Sequence, residues 1–378
     1  MMQRVAEFVS IAHRLIEERS AARPIVDKVR RNPFAFLNRD VPREWRTAGM
    51  AEQLTVAAAE LLEQAPDKSA ALAELATNVA ATLDGTYPRI TRAQIIASAW
   101  KELANAHRYR SDYDSALRAL DRADDALRDE PSLSYDTAVL ALARATTLRE
   151  IDRIPEALRL LHFATDVFRS HGDEKRVAQC ELLAGMIHHR RGDAVQARRA
   201  YQRALEVALA GGDPLVAGSV YINLGVLDAE GGRTSDALDS LHQARAIFTE
   251  LEAACEIARA SWGIGLALLG AAKHEPAIPL LRDARESFLA LSMVEEAGLA
   301  GIELVEAHLA LERREIAREI LGAVIDEFRD ASLNERALVA LAYLRELGPE
   351  ARRESVQHVH AYLLRLRREP ALLFHPLE

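Results

Sequence analysis

The sequence is poor in several residue types, and each shortage narrows the options. Aromatic residues make up only 5% of the 378. The β-branched and aromatic residues that populate strands give way to Ala and Leu, which favour helix. Cysteine occurs twice, at Cys180 and Cys255, too few and too far apart for a disulfide framework or a metal-ligand pattern. Two reduced helix residues in a cytoplasmic protein are expected. No apolar run reaches the length that spans a bilayer, and Glu7 interrupts the stretch where a signal peptide would need its apolar core. Neither a membrane partner nor a signal peptide is therefore expected. Lysine supplies only five of the 48 basic residues, which with the excess of Ala points to a GC-rich bacterial genome. The net charge of −9 argues against broad nucleic-acid binding.

Catalytic motifs are missing as well. The chain has no HExxH, no G-x-S-x-G, no phosphate-binding G-x4-G-K-[ST], and no G-x-G-x-x-G after a strand. His188 and His189 are adjacent and splay to different sides of a helix, and His358 and His360 stand two apart, so neither pair suits a metal. No enzyme, metal or cofactor is expected.

What is there is a repeat. Alanines recur in the pattern A-x3-L/Y-x2-A: Ala116, Leu120, Ala123; Ala157, Leu161, Ala164; Ala197, Tyr201, Ala204; Ala237, Leu241, Ala244; and Ala277, Leu281, Ala284. Ala317, Leu321 and Val324 form a sixth set. The leading alanines stand 41, 40, 40, 40 and 40 residues apart. Twelve residues before each lies a compact position: Ala104, Ala145, Gly185, Gly225, Gly265 and Val305. That is the grammar of two antiparallel helices, the small residue on the first admitting a bulky one from the second. Between them come turn residues such as Gly192, Gly232 or Ser111, then caps: Asp193 with Gln196, Thr234 after Gly232-Arg233, and Pro155 near another helix start. Gly212-Asp213-Pro214 marks a turn between repeats. Gly263-Ile264-Gly265, after Trp262, lies inside a helix and reads as close helix packing.

These residues resemble the tetratricopeptide repeat, W/Y-x2-L-G-x2-Y followed by A-x3-F-x2-A. Tyr221, Leu224, Gly225, Ala237, Leu241 and Ala244 carry it best, and Trp100, Leu103 and Ala104 begin the first copy. The 40-residue period resembles the longer-helix variety found in bacterial signalling receptors and in scaffolds that orient protein complexes. It is also similar to stand-alone repeat proteins of GC-rich bacteria. The resemblance implies an all-α, right-handed superhelical solenoid of antiparallel helix pairs with helical caps at both ends. Six repeats would occupy 91–330, a helical N-terminal module 1–90, and capping helices with a tail 331–378.

The ends differ from the array. Residues 1–50 carry ten basic and six acidic side chains. Residues 3–18 have amphipathic helical spacing at Val5, Phe8, Val9, Ala12, Leu15 and Ile16. Pro24, Pro33 and Pro42 are expected to punctuate an irregular basic stretch, followed by helices over about 43–64 and 68–83. The segment Lys28-Val29-Arg30-Arg31 reads as a solvated run or a contact with the acidic array. Helices over 334–347 and 351–368 should close the chain, the second with Val356, Val359, Tyr362, Leu363 and Leu366 on one face.

The resemblance also places a binding surface. In this family the first helix of each repeat lines the concave face through its fifth and ninth positions. The fifth reads Lys101, Leu142, Leu182, Ile222, Trp262 and Ile302; the ninth reads Asn105, Thr146, Met186, Val226, Leu266 and Glu306. Arg108 and His189 lie one turn beyond. Lys101 and Asn105 match the start of the carboxylate clamp of chaperone-binding members, but Thr146, Leu182 and Met186 replace its later residues. His107, His188 and His308 share one repeat position and read as rings packed at the helix seam. The middle of the face is apolar, and each such side chain left wet forgoes about 1.5–3 kcal/mol. Two coverings are open: an amphipathic partner helix or apolar peptide, or an internal one, by tight superhelical curvature or by the chain's own 351–368 helix folded back. The leading expectation is a non-catalytic adaptor for a protein or peptide, the alternative a peptide-responsive bacterial regulator in signalling or transcription. A homodimer is left open.

Overall fold

The computed structural model describes residues 2–331, 335–347, 353–366, 369 and 372–377, with side chains for all of these except 2–9, 335 and 347. The chain forms two compact units, residues 1–173 and 174–378. Among the described residues every regular element is helical. The first unit contains α1 (Met2–Val29), α2 (Ala48–Glu60), α3 (Pro66–Ala81), α4 (Arg89–Tyr109), α5 (Tyr113–Leu127), α6 (Ser134–Glu150) and α7 (Ile154–Ser170). The second contains α8 (Glu174–Arg190), α9 (Ala194–Ala210), α10 (Pro214–Glu230), α11 (Thr234–Glu250), α12 (Ala254–Gly270), α13 (His274–Ala290), α14 (Val294–Ala310), α15 (Arg314–Asp330), α16 (Glu335–Leu347) and α17 (Arg353–Leu366).

The period is built from one turn used again and again. Helices α6 to α15 are each 17 residues long and are joined by three-residue turns. The middle residue of these turns is left-handed. It is Gly at 172, 192, 212 and 232, but Asp152, Glu252, Ala272, Ser292 and Glu312 take φ between 54 and 60°. The next N–H then closes back on a carbonyl of the last helical turn, as in Arg233 to Asp228 (2.8 Å), Lys273 to Leu268 (2.9 Å) and Arg313 to His308 (2.8 Å). These bonds satisfy carbonyls that a helix end would otherwise leave orphaned. Asp193 and Asp213 cap the following helices, accepting from the N–H of Gln196 (3.1 Å) and Val216 (3.2 Å).

Helices pair through the compact positions. A Cβ on Gly185 would stand 2.4 Å from the Tyr201 ring, and one on Gly225 would stand 2.5 Å from Leu241 Cγ. Both bulky partners are fully buried. In α12 the two glycines serve different neighbours, Gly263 admitting Leu241 of α11 and Gly265 admitting Leu281 of α13.

Several details depart from expectation. Pro24 does not end the first helix: α1 runs through it to Val29, because Ala22, Val26 and Val29 are buried in the core shared with α2, α3 and α4. That burial outweighs the lost hydrogen bond. The helix expected from residue 43 begins at Ala48, after a short 3-10 turn Arg43–Trp45, where Thr47 accepts from Met50 N–H (3.2 Å). Thr234 is the first residue of α11 rather than its cap; Arg233 precedes the helix and no side chain caps it. Arg30 of the basic segment pairs with Glu60 at 3.1 Å. Of the expected 351–368 helix, 353–366 is observed, and its outermost residues lie outside those described. The same holds for the side chains of Val5, Phe8 and Val9.

Two substitutions test this packing by denaturant unfolding. Ala237 is fully buried, so Ala237→Leu should cost about 1–3 kcal/mol through overpacking. At Gly232 (φ 73°) an added Cβ meets nothing within 4 Å, so Gly232→Ala isolates the left-handed backbone and should cost about 1–2 kcal/mol. A neutral result at both would mean that the turn and seam are placed wrongly.

Candidate functional site

In the first unit the expected face belongs to α4 and α6, which pack side by side. Lys101 and Asn105 are half-buried and converge on one carboxylate, Glu102: Lys101 Nζ lies 2.5 Å from Oε1 and Asn105 Nδ2 donates to Oε2 at 3.0 Å. Glu102 is itself buried. The two residues that match the start of a carboxylate clamp are thus already engaged by an internal carboxylate. Arg108 stacks its guanidinium over Tyr109, 4.6 Å from the ring centroid. Leu142 and Thr146 are half-buried, and the Thr146 hydroxyl donates back to the Leu142 carbonyl (2.9 Å).

In the second unit, α8, α10, α12 and α14 lie side by side in that order. Leu182 and Met186, Ile222 and Val226, and Trp262 and Leu266 are all half-buried, so three neighbouring helices present a half-open apolar strip. His189 borders it, bonded through Nε2 to Glu230 (2.7 Å) and set edge-on to Tyr201. That bond holds the Glu230 carboxyl below the usual carboxylate range. His107 is half-buried and His308 buried at the helix seam, where burial pushes both imidazole pKa values down. Among the described residues no group of three or more His, Cys, Asp or Glu side chains could hold a metal ion.

The strip changes character at α14. Ile302 is fully buried and Glu306 nearly so, as is every residue from 297 to 308. The cover is α17. Its apolar face, Val356, Val359, Tyr362, Leu363 and Leu366, forms one cluster with Leu299, Ile302 and Val305, and Trp262 packs at the edge. Alongside runs a polar seam. Arg353 Nε and Gln357 Nε2 donate to Glu306 Oε1 at 2.6 and 2.9 Å. His360 Nε2 pairs with Glu303 Oε1 at 2.9 Å, and Trp262 Nε1 donates to the other oxygen of Glu303.

The sequence-derived set includes Ile302, Glu306 and Trp262 but misses Glu303, Arg353, Gln357 and His360. Their signal was present. Glu303 and Glu306 are three apart in the otherwise apolar stretch 297–307 of α14, and 353, 357 and 360 follow one flank of α17. Burial works against the imidazolium of His360, but Glu303 beside it outweighs burial and lifts its pKa above 6.5. Burial likewise lifts the Glu303 carboxyl. A raised pKa means the docked state holds its proton more firmly, so the stabilisation is complete below 6.5 and fades as pH rises through the raised value. Thermal stability should therefore decline from pH 6.5 upward, and His360→Gln should flatten that decline. A wild-type profile unchanged by the substitution would exclude the pair as its source.

Comparisons with known proteins agree with this architecture. The family model described as Tetratricopeptide repeat matches residues 136–210 and 176–250. Among curated proteins, the transcriptional activator NprA of Geobacillus stearothermophilus is 28% identical over 115 residues. That match spans 30% of this chain and only 28% of the relative's length. Among solved structures, NprR in complex with its cognate peptide NprX superposes with a TM-score of 0.55 at 12% identity, covering 96% of this chain and 99% of that one. Aspartyl phosphate phosphatase F from Bacillus subtilis gives 0.55 at 16% identity, covering 96% and 94%. A Rap protein complexed with Competence and Sporulation Factor gives 0.51 at 13%, covering 86% and 99%. Residues 136–250 thus match tetratricopeptide repeats, and the alanine register from Ala116 to Ala317 carries the same 40-residue spacing beyond them on both sides.

Proposed function

We propose that this protein binds a peptide or amphipathic helix along the first-helix face of its second unit and acts as a non-catalytic adaptor. The observation that carries the reading is the half-open apolar strip Leu182, Met186, Ile222, Val226, Trp262 and Leu266, whose equivalent on α14 is fully covered by a helix. A surface that buries one amphipathic helix at its end is chemically suited to take another beside it. NprR, a neighbour in fold solved in complex with its cognate peptide NprX, supports the choice of ligand class. The phosphatase among the neighbours shares the fold at 16% identity, which transfers no reaction. No helix among the described residues is long and apolar enough to cross a membrane; a cytoplasmic adaptor without cofactor or nucleic acid is part of the proposed reading.

A second reading makes the same face a sensor in a bacterial regulator. The 28% identity of a 115-residue stretch to a transcriptional activator favours it. So does the core that α1 to α3 share with α4, which ties the N-terminal module to the first repeat. Under this reading, a bound peptide alters protease sensitivity in the turn-rich segment 30–47.

The site is tested best away from Trp262, which packs edge-on against Phe288 at 5.7 Å besides holding Glu303. Val226→Glu and Leu266→Glu, at half-buried ninth positions, should each weaken capture of a partner peptide by roughly tenfold or more while the helical melting curve stays intact. Undiminished capture by both folded variants would remove the face from the binding surface.

A further inference from the structure

Helix α17 sits where a ligand would. The face it covers on α14 continues the strip of α8, α10 and α12, and it meets that face with two matched rows. Val356, Val359, Leu363 and Leu366 enter the apolar cluster around Ile302, and Arg353, Gln357 and His360 answer Glu306 and Glu303. Both rows follow helical spacing, so a single rigid helix satisfies them together. A cap whose only task was to shield the last repeat would need the apolar row alone. The two buried carboxylates add a chemical requirement, because a buried charge that loses its partner is costly. They make the surface selective for a helix that brings cations and hydrogen-bond donors along one edge.

We propose that α17 is an intramolecular ligand of the binding face, and that the external partner is an amphipathic helix with a cationic flank that displaces α17 and takes over Glu303 and Glu306. The proposal rests on the binding reading given above and specifies its regulation and the partner's chemistry. Held by its short connection to α16, α17 occupies the face at an effective concentration of about millimolar. A competitor must therefore satisfy the same two rows, and a merely apolar peptide leaves the carboxylates unpaired.

The test uses the full-length chain and a fluorescein-labelled synthetic peptide with the sequence of residues 353–366. Val359 is fully buried under the proposed contact, so Val359→Glu in the chain should release its own α17. Binding of the peptide, followed by anisotropy, should then tighten by on the order of tenfold or more relative to wild type. Adding Glu303→Gln and Glu306→Gln to the released chain should reverse that gain. In the wild-type chain, saturating peptide should speed hydrogen exchange within α17. Equal affinity for wild type and Val359→Glu, or exchange in α17 that the peptide does not alter, would overturn the proposal. Loss of cooperative unfolding in Val359→Glu would also overturn it, by showing that α17 is a fixed part of the core. Val226 and Leu266 lie on other helices, outside this contact. If their substitution abolishes partner binding while Val359→Glu changes nothing, the face stands and the intramolecular ligand falls.

Discussion

A bulky side chain on each second helix needs a gap in the helix before it, and the rest of the array depends on that fit. Tyr201, Leu241 and Leu281 project into the space that Gly185, Gly225 and Gly265 leave by having no Cβ. Tight packing of this kind tolerates neither an added nor a missing methylene cheaply. The pairing therefore sets which residue faces which, and the equal helix lengths follow, since a longer or shorter helix would carry the next gap out of register. Once the seam is set, the fifth and ninth positions of α8, α10 and α12 share one side of their unit, where all six side chains are half-buried.

Charge is handled differently in the two units. In the first, Glu102 is buried among residues of its own helix and engages Lys101 and Asn105 locally. In the second, Glu303 and Glu306 are answered by side chains more than forty residues later in the chain. The local arrangement makes α4 self-sufficient, whereas α14 is complete only with a second helix against it. That contrast is the physical ground for treating the α14 surface as a place of exchange.

Much of this was legible in the sequence, for identifiable reasons. The seam was readable because Gly or Ala twelve residues before a recurring Ala is a pattern in spacing alone. The buried stripe of α17, Val356 to Leu366, was readable by the same logic, and all five of its residues are buried as their spacing implied. That α17 could fold back over the face was one of the coverings left open; the choice was undecided, since an apolar stripe says that a helix is covered without naming its partner. Glu303 was not singled out, because its partner His360 is 57 residues away in the chain. Pro24 misled because backbone chemistry is local, whereas the burial of Val26 and Val29 that overrides it is tertiary.

The left-handed turns carry a consequence for how the array comes apart. Within the second unit the earlier turns place Gly at the strained position, at 192, 212 and 232, whereas the later ones force Glu252, Ala272, Ser292 and Glu312 into it. A side chain held there costs roughly 1–2 kcal/mol per turn, and in an array where each repeat touches only its neighbours such costs are not shared along the chain. The cooperative links are therefore weakest toward the C-terminal end. Fraying should begin at the end where α17 is docked, the same end at which the proposed exchange of one helix for another would take place.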